Sequence, residues 1–306
     1  MRLRVGTRGS RLAVVQSSSV ADALRRLGAE VELVPIKTSG DHLAQVALAD
    51  FGGKALFVKE IEEALLAGRV DVGVHSLKDM PAALPAGLTL AAFPPREDPR
   101  DVLLTRADGG LDALPRGARV GTSSLRRRIL LLARRPDLAI EPIRGNVETR
   151  LAKLERGDYD ALVLAWAGLK RLGVVPPHAW LLETEEFLPA VGQGILGVEA
   201  RQADREMLEL LRGVDDTRTR MQALAERSFL LALGASCHTP VAGYARLEGE
   251  ALTVSGLVAS LDGATVLRSS VSGPGAAAEA LGRKLADELL ARGAGPLLEA
   301  SGGTRS

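Results

Sequence analysis

A chain of 306 residues, 46% hydrophobic and 25% charged, is long enough to bury the cores of two or three domains, and no stretch of it approaches the uninterrupted apolar length of a membrane span. Lysine and arginine (39) nearly cancel aspartate and glutamate (38), so a net charge of +1 supplies no global field toward nucleic acid or an anionic membrane, and any anion site must be local. The single cysteine excludes an intrachain disulfide, and the opening Met-Arg-Leu-Arg-Val-Gly-Thr-Arg lacks the apolar core of a secretory signal, so a cytoplasmic location is expected.

Taken in chain order, the pattern alternates strand and helix. Residues 3–7 read as a strand, and Ser10 can cap a helix whose apolar face (Leu12, Val15, Ala23, Leu24, Leu27) ends at Gly28. Strands follow at 30–36, 70–74 and 88–93, with a helix over about 56–67 stopped by Gly68. Such a βαβ series predicts a mostly parallel sheet. The proline- and charge-rich run 93–100 predicts a crossing into a second domain, where strands at 101–105, 119–122, 139–143 and 160–165 alternate with helices. A second crossing falls at 189–194, after which 195–200 returns to the first sheet. A long helix from 217 to 233, the cysteine loop, strands at 241–247, 251–260 and 265–272, and a helix over 276–291 predict a small α+β domain.

Ligands of open α/β sheets bind beyond the carboxyl ends of strands, so the loops there carry the argument. After the strand at 70–74 comes His75-Ser-Leu-Lys-Asp79-Met-Pro81, which places a serine, a lysine and an aspartate on one turn. After the strand at 119–122 comes Gly121-Thr-Ser-Ser-Leu-Arg-Arg-Arg128, a glycine turn with hydroxyls and arginines opening a helix, where free amides favour an anion. Arg144-Gly-Asn-Val-Glu-Thr-Arg150 repeats the arrangement. Between 116 and 156 eleven basic residues face four acidic ones, a local excess of seven in a chain of +1.

Cys237 lies in Gly234-Ala-Ser-Cys-His-Thr-Pro240, a tight loop rather than an apolar helix, where a thiol is available as nucleophile or attachment point. A lone cysteine is also a common inert filler. Gly192-Gln-Gly-Ile-Leu-Gly197 matches the dinucleotide pattern, but Pro189 precedes it and a β-like run follows, the reverse of strand, turn and helix. The Walker pattern occurs nowhere, and His42, His75, His178 and His238 show no metal spacing, so no metal site is expected.

Eight motifs now stand in order along the chain: Thr7-Arg8-Gly-Ser10-Arg-Leu-Ala13, Gly52-Gly-Lys54 with Leu56-Phe-Val-Lys-Glu60, the 75–79 turn, 120–127, 144–150, Ala167-Gly-Leu-Lys-Arg171, Leu188-Pro-Ala-Val-Gly-Gln-Gly194 and the Cys237 loop. Together they resemble the porphobilinogen deaminase (hydroxymethylbilane synthase) family. The departures are Ala55 where a glycine is usual, and Ala235, Ser236 and His238 around the cysteine.

The resemblance implies two doubly wound mixed-sheet α/β domains, like the two-lobed periplasmic binding proteins, plus a small α+β C-terminal domain. The expected domains are 1–94 with 195–214, 100–190, and 217–306. It implies a monomeric transferase of tetrapyrrole biosynthesis that joins four porphobilinogen molecules head to tail, loses ammonia at each step and releases linear hydroxymethylbilane. It puts a dipyrromethane cofactor on Cys237 through a thioether and makes Asp79 the catalytic carboxylate. Ser76, Lys78, Asp79, Thr122, Ser123, Ser124, Arg126, Arg127 and Arg144 would bind the cofactor; Arg8, Ser10, Arg144, Arg150, Arg171 and Gln193 would bind substrate.

The residue types suit that chemistry. Each ring of the growing chain carries two carboxylate arms, and charged hydrogen bonds from arginine contribute about 1.5–3 kcal/mol each. Loss of ammonia leaves a cationic azafulvene, which a carboxylate about 4 Å away favours by roughly 4 kcal/mol, on the order of a thousandfold in rate. The competing reading is a two-lobed anion-binding protein without catalysis, which explains the loops but not the cysteine or the Asp79 turn. Nucleic-acid binding is not expected, because nine aromatic residues offer few stacking platforms.

Overall fold

The computed structural model describes residues 1–37, 58–235 and 239–302. The Gly52-Gly-Lys54 motif and Cys237 lie outside the described residues.

Chain order is β1 (Arg2–Thr7), α1 (Arg11–Arg26), β2 (Glu30–Pro35), α2 (Lys59–Leu66), β3 (Val72–Ser76), β4 (Leu88–Ala92), β5 (Asp101–Thr105), β6 (Arg119–Gly121), α3 (Leu125–Arg134), β7 (Ala139–Glu141), α4 (Val147–Glu155), β8 (Ala161–Ala165), α5 (Trp166–Leu172), β9 (Ala179–Leu182), β10 (Leu196–Arg201), α6 (Arg205–Arg212), α7 (Thr217–Ala232), β11 (Val241–Glu248), β12 (Ala251–Ala259), β13 (Val266–Pro274), α8 (Ala278–Ala291) and α9 (Ala294–Gly302). The sequence pattern does not single out β9, α6 or α9. The first is a four-residue strand, and the second is marked chiefly by its cap, Asp204, whose side chain accepts from the Met207 amide.

Two five-stranded sheets share one layout, β2-β1-β3-β10-β4 in the first lobe and β7-β6-β8-β5-β9 in the second. In each, the first three strands are parallel and the fourth is antiparallel to both neighbours. Half the pairings are therefore antiparallel, which corrects the expectation of a mostly parallel sheet. The reason is topological: β5 and β10 each arrive directly from a crossing segment. An antiparallel strand begins where its parallel neighbour ends, so Leu196 pairs with Ser76, and Asp101 pairs with Ala165. Both crossings thus terminate at the carboxyl ends of the parallel strands, where ligands of such sheets bind.

The third unit is the antiparallel sheet β11-β12-β13, covered by α7 and α8 around Phe229, Leu285 and Leu289. The two helices approach closely at Gly282, where a Cβ would lie 2.2 Å from the Ala225 carbonyl oxygen, so no other residue fits without moving α8.

The crossings are tied to α7 by one carboxylate. Glu226 is fully buried; its Oε1 accepts from Arg96 Nη1 (2.6 Å) and the Ala245 amide (2.8 Å), and its Oε2 accepts from the Gly192 amide (2.6 Å). Arg96 in turn donates from Nε and Nη2 to the Gln193 carbonyl (3.0 and 2.8 Å). Gly194 follows with φ +86°, and its would-be Cβ falls 2.3 Å from the Glu97 carbonyl, so the two crossings touch backbone to backbone. The glycines at 192 and 194 serve this turn geometry.

A second buried carboxylate, Glu62 on α2, titrates near neutrality. Burial first, and then the Glu199 carboxylate, push its pKa up to about 7. Glu199 itself sits 3.1 Å from His75 Nε2 in the core of the first lobe. Between the unfolded value near 4.5 and about 7 the folded protein keeps a proton that the unfolded chain has lost, so stability falls as pH rises through that window. Glu62→Gln should match wild type at pH 4.5 and be the more stable protein at pH 8, measured by denaturant midpoints at both pH values.

Candidate active site in the cleft between the lobes

β3 ends at Ser76 and passes into a single 3₁₀ turn, Leu77–Asp79. Leu77 and Met80 are buried against Val58, Leu90, Phe93 and Ile195, and the Leu77 amide donates to the Ile195 carbonyl at 3.0 Å. These anchors fix the turn from below, which leaves Lys78 half-buried and Asp79 exposed above it. Ser76 pairs its hydroxyl with the Gln16 side-chain amide of α1 (3.0 Å), and Lys78 Nζ makes a long contact of 3.5 Å to Gln193 Oε1. Burial lowers the Lys78 pKa to about 8, and the charges of Arg127 and Arg126 add to that, opposed by Asp79 and Asp101.

In the second lobe the hydroxyls at the start of α3 are engaged locally. Ser124 caps the helix by accepting from the Arg127 amide, Thr122 Oγ1 accepts from the Ser124 amide, and Ser123 bridges both the carbonyl and the amide of Ile143. Arg126 and Arg127 are buried rather than extended into solvent. Both meet Asp101, the first residue of β5: Arg126 Nη1 lies 2.7 Å from Oδ2, and Arg127 donates from Nε and Nη2 to Oδ1 at 3.1 and 2.7 Å. Burial disfavours the Asp101 charge, but the two guanidiniums outweigh it and hold the carboxyl below its usual range. Arg126 also donates to the Leu188 carbonyl, lies over Phe187 at 5.9 Å, and keeps a buried Nε with no hydrogen-bond partner.

Arg150 on α4 donates to the Gly145 carbonyl, and burial lowers its pKa, assisted by Arg127 and opposed by Asp79 across the cleft. Lys78, Asp79, Gln193, Arg126, Arg127 and Arg150 therefore form one electrostatic cluster. Arg171 on α5 stands apart from it: its Nη2 donates to the Gly194 carbonyl at 2.7 Å, and burial lowers its pKa to about 10 against the pull of Glu97. Arg8 and Ser10 flank the start of α1, where Ser10 caps the helix through the Ala13 amide. The lobes meet there, with Arg11 Nη1 3.4 Å from Glu148 Oε1. Arg144 is half-buried between β7 and α4, and its carbonyl accepts from Lys153. Asp101, Arg96 and Glu226 are the charged residues that motif reading passes over. The available signal was a carboxylate inside an otherwise apolar run, Asp101-Val-Leu-Leu in one case and Ala223-Leu-Ala-Glu226 in the other.

Among the described residues, neither Lys78 nor Arg150 has a carboxylate within ion-pairing distance, although both lose charge stability to burial. Partly dehydrated cations without a carboxylate partner are suited to a polycarboxylate ligand. The fold and cleft thus define a two-lobed α/β protein with an appended α+β unit and a cluster of partly buried cations beside an exposed carboxylate.

The chain belongs to the porphobilinogen deaminase family. The family model described as porphobilinogen deaminase, dipyromethane cofactor binding domain, matches residues 3–209, and that of the porphobilinogen deaminase C-terminal domain matches 221–291. The porphobilinogen deaminase of Syntrophotalea carbinolica is 51% identical over 300 residues, covering 97% of this chain and 95% of its own; that of Syntrophobacter fumaroxidans is 50% identical over 299 residues, covering 97% of both. Among solved structures, the methionine binding protein MetQ aligns at a TM-score of 0.45 and 15% identity over 70% of this chain and 89% of that one. The chain is accordingly a transferase of porphyrin and tetrapyrrole biosynthesis.

The lowered Lys78 pKa has a direct readout. Acylation of lysines by a limiting amine reagent, followed by peptide mass spectrometry, should label Lys78 with a half-point near pH 8, well before ordinary lysines. In Asp79→Asn that half-point should move lower still, since Asp79 favours the ammonium.

Proposed function

We propose that the cleft joins porphobilinogen units head to tail on a dipyrromethane held by Cys237, with Asp79 as the carboxylate that faces the reacting atoms. The observation that carries this reading is the exposed Asp79 carboxylate set at a strand end among the dehydrated cations Lys78, Arg127 and Arg150. When bound, the dipyrromethane supplies a pyrrole α-carbon as the first acceptor. Its carboxylate arms match the chemistry of Lys78, Arg126, Arg127 and Arg144, while Ser76, Thr122, Ser123 and Ser124 line the same strand ends. In sequence Cys237 follows α7, the helix pinned to both crossings by Glu226.

Each turn of the reaction breaks the carbon–nitrogen bond of a porphobilinogen aminomethyl group and forms a carbon–carbon bond to the free α-carbon of the chain, which loses its proton. Asp79 offsets the positive charge left on the substrate when ammonia departs, then accepts the proton from the coupled ring. The neighbouring Lys78 ammonium neutralises a carboxylate arm. Arg8, Ser10, Arg144, Arg150, Arg171 and Gln193 hold the arms of incoming substrate and growing chain. Release of the tetrapyrrole as linear hydroxymethylbilane needs water at the same carbon. The alternative, an anion-binding cleft without chemistry, leaves Asp79 without a purpose among groups selected for anions.

Intact mass decides the cofactor assignment: active protein should exceed its sequence mass by a two-pyrrole unit, removed in Cys237→Ala together with activity. An unmodified thiol in active enzyme would overturn the attachment. Asp79→Asn, which keeps shape and loses charge, should retain the added mass while turnover falls by about a thousandfold. Near-normal turnover would assign the chemistry elsewhere.

The dispersed arginines predict a staged defect. After a short pulse of porphobilinogen, Arg126→Leu and Arg127→Leu should lack the primer, whereas Arg8→Leu, Arg150→Leu and Arg171→Leu should stall with one or more added rings. Each loss leaves a carboxylate poorly paired at about 2–5 kcal/mol, enough to halt a step. A mass ladder identical to wild type in all five, only slower, would rule out staged binding.

A further inference from the structure

Asp101 has no exposed surface, yet it gathers groups from two distant parts of the chain. Its Oδ1 accepts from Arg127 Nε and Nη2 and from Gln193 Nε2 (2.9 Å), and its Oδ2 faces Arg126 Nη1 at 2.7 Å. Gln193 also donates to the Pro99 carbonyl at 2.7 Å, which clamps the second crossing onto the first, and its Oε1 faces Lys78 Nζ of the opposite lobe. The path Lys78, Gln193, Asp101, Arg126 and Arg127 therefore runs from the Asp79 turn to the arginine pair without a break.

Stability alone does not explain this arrangement. Adjacent residues on a helix point about 100° apart and like charges repel, so two neighbouring guanidiniums do not converge unaided. Burying three charges is often no better than packing apolar side chains of the same volume. What the carboxylate does provide is direction: it draws both guanidiniums to one point at the carboxyl end of the second sheet. One negative charge against two positive ones still leaves an excess of positive charge facing the cleft.

We propose that Asp101 is a positioning residue for cofactor capture: it aims Arg126 and Arg127 together and, through Gln193, sets them in register with the Lys78–Asp79 turn of the other lobe. This deepens, and rests on, the reading that the cleft holds dipyrromethane and substrate carboxylates.

The test uses full-length apoprotein from cells that make no porphobilinogen, with porphobilinogen as the probe, and follows primer loading by intact mass. Asp101→Asn should load about tenfold more slowly or worse, and Asp101→Glu, which keeps the charge, should recover part of the rate. The fraction that does load should lose activity at lower pH than wild type. Lys78 then faces Arg126 and Arg127 of α3 and its own neighbour Asp79 without the Asp101 anion, so its ammonium is less favoured. Loading at the wild-type rate with an unshifted alkaline limb would overturn the proposal, whatever the melting temperature. Should Asp101→Asn not fold, Gln193→Met leaves the buried charges in place and cuts the tether; saturating porphobilinogen removes the effect of its lost contact to substrate arms, which raises KM. A fall in kcat of about tenfold with an unchanged melting temperature supports the proposal, and an unchanged kcat overturns it. Wild type that gains no two-pyrrole mass under these conditions would count against the functional reading itself.

Discussion

The Glu226 carboxylate is the interaction on which the rest of the arrangement depends. It is buried, and its oxygens receive an arginine of the first crossing, an amide of the second, and an amide of the third sheet. Removing one member of such a set leaves a desolvated charge, at about 3–5 kcal/mol. The same bonds fix the helix that bears it, Thr217–Ala232, against both crossings and the third sheet. Two lobes joined only by two extended strands would otherwise be free to choose their separation.

Charge in the cleft is balanced unevenly, and the imbalance is what a polyanionic chain requires. Asp101 is outnumbered by the arginines it meets; Lys78, Arg150 and Arg171 each give up some of their preference for the charged state to burial. Every carboxylate that enters restores part of that loss. Attraction is thereby spread along a path rather than concentrated at one point, which suits a product that lengthens.

Much of the fold was legible because glycines, caps and apolar periods are local. Ser10, Ser124 and Gly28 mark their helix ends as their sequence context predicts, and the turn expected from 75 starts at Leu77, because β3 runs on through His75 and Ser76. Strand direction was not legible, because whether β5 and β10 run with or against their neighbours depends on where the crossings deliver them. The hydroxyls of 122–124 have local partners, and the arginines of 126–127 share a buried carboxylate, Asp101, 25 positions before Arg126. A partner so distant in sequence leaves no local pattern, and neither does the pairing of Glu226 with Arg96.

The late return of the chain to the first sheet also dictates an order of assembly. Among the described residues β4 pairs with β10 alone, so until residue 201 is made the first sheet lacks the strand between β3 and β4, and β4 is held by apolar packing, with Leu88 and Leu90 on residues of 58–80. The second sheet draws all its strands from 101–182 and can close as soon as they leave the ribosome. Synthesis thus completes the second lobe first, while the first waits, open at one edge, for the chain to come back to it.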